Sequence, residues 1–141
     1  MHKTLFSLIF FFISVIVLAQ TERFPIFLEC EDLEISNAEA CFKSNLRNVV
    51  TNELKIPKEV SDDNFSGVLN VLFLVDKNGA FKVLYVNSPY EALKIEVERV
   101  FATLPKITPA KYNNHAVEMQ FVYPLVIPLS RKIEIEKVEK S

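Results

Sequence analysis

A chain of 141 residues, half of them hydrophobic, suffices for one small domain with a targeting segment attached. A formal net charge of −2 argues against a nucleic-acid binder, which presents a basic field. Two glycines in the whole chain exclude glycine-rich phosphate loops and dinucleotide fingerprints, and no cofactor is expected.

The chain opens with MHKTLFSLIFFFISVIVLAQ. Lys3 precedes an uncharged run from Leu5 to Ala19. This is the length of a secretory apolar segment and falls short of the roughly 20 residues of a membrane span. Val17 and Ala19 stand where a signal peptidase reads small residues ahead of a cut before Gln20. No cysteine follows that cut, so no lipid anchor is indicated. Residues 1–19 are read as a signal peptide, with an uncleaved anchor as the alternative. Residues 20–129 then form the domain, and 130–141 a polar charged tail or short edge strand.

Export changes how the two cysteines are read. In an oxidising compartment Cys30 and Cys41 are first a disulfide, and two buried thiols are the alternative. Closing so short a loop would contribute roughly 2–3 kcal/mol by constraining the unfolded chain. With His115 the one histidine past the signal run, no metal-ligand spacing is present.

Phe24-Pro25-Ile26-Phe27 is an apolar lead-in, extended because of its proline. Ser36 is placed as a helix N-cap with Glu39 as its capping-box partner. Ala38, Phe42, Leu46, Val49, Val50 and Leu54 then recur at helical spacing until Pro57. Residues 57–66 read as a polar connector.

Residues 67–88, GVLNVLFLVDKNGAFKVLYVNS, read as a hairpin about Asp76-Lys77-Asn78-Gly79. Asp76 is suited to accept from backbone N–H groups of the turn. A bulge is expected near Lys82-Val83, where alternation fails. Leu69, Val71, Phe73 and Val75 share one face of the first strand; Val68, Leu72 and Leu74 share the other, broken by Asn70. That second face is too apolar for water, and its cover is left open between the lead-in, the tail and a second copy.

Ser88-Pro89 marks a second helix, with Pro89 at its first position and Leu93, Val97, Val100, Phe101 and Leu104 on one face until Pro105. After a loop over 105–115 comes a last strand at 116–129, with Val117, Met119, Phe121, Tyr123, Leu125 and Ile127 facing inward. The class is α+β: a three-stranded antiparallel or mixed sheet of order 2-1-3 with both helices on one face. The last strand lies at an edge, where Pro124 and Pro128 are tolerated.

From Phe24 to Leu129 the chain resembles the TonB C-terminal domain family in its stand-alone secreted Bacteroidetes form. FPIFLECE and ACF resemble that group's paired-cysteine lead-in, and GVLNVLFLVDKNGAF its glycine-led strand and aspartate-glycine turn. LKIEVERVFATLPKITPAKYNNHAV resembles its helix and proline loop, and FVYPLVIPL its closing strand. Two departures stand out. Ile56-Pro57 replaces the family's Tyr-Pro, and Asn113-Asn114 lies where glycine is usual, a pair that also accepts left-handed backbone.

The resemblance implies a periplasmic protein-binding module with a role in energy-transducer-related transport. Its partner is the Ton box of a TonB-dependent outer-membrane receptor, or another periplasmic protein, paired by β-strand addition. The expected edge is Val117, Glu118, Met119, Gln120, Phe121, Val122 and Tyr123. Only about four residues separate Ala19 from Phe24, each spanning at most about 3.6 Å. An anchor left in place would hold the domain against the inner membrane, facing the periplasm, so a soluble accessory is expected rather than a force transmitter. The alternative is a disulfide-stapled structural domain or homodimer without a transport role. An enzyme is not expected. Cys30 or Cys41 with His115 would have to supply nucleophile and base, and Asp62-Asp63 has no apolar pocket to raise a pKa.

Overall fold

The computed structural model describes residues 22–32 and 34–129. The signal run 1–19 and the tail 130–141 lie outside them. The fold is α+β. Strand β1 (Glu22–Arg23) leads to a single 3-10 turn at Leu28–Cys30, then helices α1 (Ile35–Glu53) and α2 (Lys58–Asp62). Strands β2 (Gly67–Val75) and β3 (Phe81–Val86) follow, then helix α3 (Glu91–Thr103). Short strands β4 (Lys111–Tyr112) and β5 (His115–Ala116) precede the long β6 (Met119–Ile127).

The main sheet has the order β3-β2-β6, the predicted 2-1-3, and both of its pairings are antiparallel. The expected inner face is the core: Leu69, Val71, Phe73 and Val75 are buried, and so are Leu125 and Ile127 on β6. Phe73 lies at the centre, its ring 5.0 Å from Phe101 of α3 and 5.4 Å from Phe121 of β6. Phe42 of α1 packs on Phe121 at 5.0 Å, so both long helices cover the same face of the sheet. Each such ring taken from water contributes roughly 1.5–3 kcal/mol.

The hairpin turn follows its local chemistry. Asp76 Oδ1 accepts from the N–H groups of Asn78 (2.7 Å) and Ala80 (3.0 Å). These bonds, Ala80's first, hold the Asp76 carboxyl below its ordinary pKa. Gly79 has φ +78°, and a Cβ there would lie 1.7 Å from the Ile107 carbonyl oxygen, so only glycine fits. The register shifts between Leu72 and Phe73, opposite Tyr85 and Val83. The extra residue is therefore Leu84, just past the expected Lys82-Val83. At the β4–β5 turn Asn113 and Asn114 have φ 47° and 66°, the left-handed pair expected of that departure.

Several local expectations are corrected. Helix α1 starts at Ile35 with Glu34 as N-cap, so Ser36 falls inside its first turn. The reason is that the Glu34 carbonyl already accepts from the Asn37 N–H at 2.8 Å. Helix α3 starts at Glu91, not at Pro89, because Ser88 Oγ accepts from the Tyr90 N–H and holds 88–90 as a turn. The connector contains α2, whose one apolar side chain, Val60, is buried. The last strand does not begin at residue 116. His115–Ala116 turn back onto β4, which pairs with β1 to form a second small sheet.

That second sheet fixes the lead-in. Ile26 and Thr108 exchange backbone hydrogen bonds of 2.9 and 3.0 Å, and Phe24 packs 6.1 Å from Phe121 on the inner side. The lead-in therefore does not cover the outer face of the hairpin. Cys30 and Cys41 form a disulfide that pins the 3-10 turn to α1. Asn45 sits over it, its amide donating to the Cys41 carbonyl at 3.1 Å and reaching Cys30 Sγ at 3.2 Å.

Candidate functional site

The site is built on the free edge of β6. Within the described residues β6 pairs with β2 alone, in unbroken register from Gly67↔Ile127 to Val75↔Met119. Which of its backbone groups remain unpaired follows from β2. The Asn87 N–H donates to the Asn70 carbonyl at 2.9 Å, so Asn70 turns its backbone toward β3. In a central strand successive residues alternate sides, and the odd-numbered residues of β2 therefore bond β6. Their partners are the odd-numbered residues of β6, which leaves the N–H and C=O groups of Gln120, Val122 and Val126 facing away from the sheet. Pro124, opposite Asn70, belongs to the same outward row and offers a carbonyl without an N–H.

Beside this edge runs a groove of about 600 Å³. On the strand side it is lined by Tyr123, Pro124, Leu125 and Val126, and beyond the strand by Leu129. Its wall is one face of α1, presenting Lys43, Ser44, Arg47, Asn48 and Thr51 at helical spacing. Burial raises the Tyr123 phenol above its ordinary pKa, and the neighbouring Arg47 charge works against that rise. Lys43 bridges to Glu39 one turn earlier, whereas Arg47 makes no salt bridge among the described residues.

On the opposite side the sheet carries an apolar surface. Val122 is 62% exposed, Tyr85 61%, Val68 59% and Val126 51%. Register places Val68 beside Val126, and Leu72 between Val122 and Tyr85, with Asn70 and Pro124 paired between the two groups on this face.

The expected edge residues divide. Met119 to Tyr123 lie in β6, with Gln120 and Val122 on the outward backbone row. Val117 and Glu118 lie between β5 and β6, and the Val117 N–H is already taken by the Ala110 carbonyl at 2.9 Å. The expected edge ends at Tyr123, ahead of the prolines; in the structure Pro124 lies within the strand and the outward row continues through Val126. Strict alternation of Gln120, Val122, Pro124 and Val126 was the available signal. The α1 wall was legible only as a polar helix face. Both thiols are in the disulfide, and exposed His115 sits on the β4–β5 hairpin. Among the described residues no three His, Cys, Asp or Glu side chains converge as metal ligands would, and no helix is long and apolar enough to cross a membrane.

No family model and no curated protein matches the chain. Among solved structures, the NMR solution structure of Helicobacter pylori TonB-CTD (residues 194–285) is similar to it at 16% identity and a TM-score of 0.39, covering 64% of this chain and 96% of that one.

Proposed function

We propose that this chain is a periplasmic protein-binding module of the TonB C-terminal type. It takes an extended segment of an outer-membrane TonB-dependent transporter, or of another periplasmic protein, alongside β6. The observation that carries this reading is the outward row of Gln120, Val122 and Val126 beside an open groove. An incoming strand would satisfy those backbone groups by β-augmentation. The signal-like run at the N-terminus supports export, and the motifs from Phe24 to Leu129 support the module type. Binding rather than catalysis fits a site made of strand backbone and helix polar groups.

The test is a titration of the isotope-labelled chain with a Ton-box peptide, followed by NMR. The amides of Gln120, Val122 and Val126 are expected to shift and to gain protection from solvent exchange. Binding that leaves all three unchanged, or no binding at all, removes this mode. Mass spectrometry of the exported chain is expected to give a start at Gln20, and a start at Met1 would count against release into the periplasm.

A further inference from the structure

The two sides of the β6 edge differ in chemistry, and a strand added there would present alternate side chains to each. Toward the helices those side chains enter the groove walled by Lys43 and Arg47, with Ser44, Asn48 and Thr51 between them. Among the described residues no carboxylate lines this groove, although the chain as a whole is acidic. Toward the other side they continue the exposed patch of Val68, Val122 and Val126. From this we infer that the occupant of the groove is an extended acidic peptide, alternating carboxylate and β-branched residues. Its carboxylates face α1 and its apolar side chains extend the outer face of the sheet.

This rests on the edge-strand reading above and adds the partner's chemistry to it. Arg47 is the principal anchor, because Lys43 already reaches Glu39. A surface pair such as Lys43–Glu39 is weak enough to be exchanged for a guest carboxylate. On the outer face the guest's apolar row would adjoin Val122 and Val126 of β6, which stand between it and Val68 of β2. Pro124 removes one donor from the middle of the edge, which favours a guest whose main-chain bonds are supplemented by side-chain contacts.

The probes are two capped octapeptides, one alternating valine with glutamate and one alternating valine with glutamine. Each is titrated into the purified chain by fluorescence anisotropy and by NMR. The glutamate peptide is expected to bind about fivefold tighter, as one or two partly exposed ion pairs allow. That advantage should shrink as salt approaches about 1 M, where screening reaches to about 3 Å. In the double variant Lys43→Gln, Arg47→Gln it should vanish. Equal affinity of the two peptides, with the Gln120, Val122 and Val126 amides shifting in both cases, overturns the acidic preference and leaves the edge reading standing. No shift of those amides with either peptide overturns both. Displacement of residues 130–141, or dissociation of a dimer, on adding either peptide identifies the occupant as the chain itself and also overturns the proposal.

Discussion

Glu96 shows how one side chain fastens two elements. Its Oε1 accepts from the Lys55 N–H at 2.9 Å, just past the end of α1. Arg99 donates to both of its oxygens, at 2.7 and 2.8 Å, and to the Glu53 carbonyl at 3.0 Å. These bonds, Arg99's first, hold the Glu96 carboxyl below its ordinary pKa. A carboxylate with a depressed folded-state pKa contributes stability above its unfolded value and loses that contribution as pH falls through the folded value. The window therefore opens near the usual glutamate value of about 4.3 and runs downward. Glu96→Gln is expected to cost about 1 kcal/mol at neutral pH. In urea unfolding its stability should also fall less steeply than the parent's on acidification below the ordinary glutamate value. Parallel acid profiles would show that the carboxylate's charge contributes nothing.

At the scale of elements, the first helix is held by more than its apolar stripe. Ala38, Phe42, Leu46, Val50 and Leu54 bury one face as the periodicity predicts, and the disulfide ties its first turns to the lead-in. Reducing the disulfide is expected to lower stability by roughly 2–3 kcal/mol, read from the urea midpoint with and without reductant. An unchanged midpoint would mean that the Phe27–Phe42 contact and the Ile26–Thr108 bridge alone hold the lead-in. The N-terminal end of α3 has its own tie. Tyr90 donates its hydroxyl to Asp63 at 3.0 Å and sets its ring edge-on to Phe65. Burial first, then the Asp63 contact, raises the Tyr90 phenol above its ordinary pKa. The segment from 57 to 66 thus acts as a packed corner rather than as a spacer.

For the whole molecule, the edge of β6 left open among the described residues is the place of the proposed recognition and also a hazard. A long unpaired edge invites pairing with another copy, and Pro124 interrupts it by removing a donor from the outward row. Pro124→Val restores that donor on a solvent-facing position. It is expected to change folding stability by less than about 1 kcal/mol while producing concentration-dependent self-association in sedimentation velocity. A variant that stays monomeric would show that the edge is shielded by something other than the proline.

What was legible in the sequence was whatever local chemistry decides. Alternation set the faces of β2 and β6, and the 3.6-residue stripe set α1 and α3. Asp76, Gly79, Asn113 and Asn114 set their turns, because each satisfies backbone geometry within a few residues of itself. The main-sheet order followed from a tight hairpin and one return helix, which leave few ways to place the last strand. Only the tertiary structure decided the rest. Strands of two residues in β1, β4 and β5 carry no periodicity; they exist because the lead-in and the loop after α3 meet over the core. The groove is likewise made of residues that no local pattern connects. Arg47 and Tyr123 come together because α1 and β6 bury their apolar faces against each other, and the polar rim between them follows from that packing.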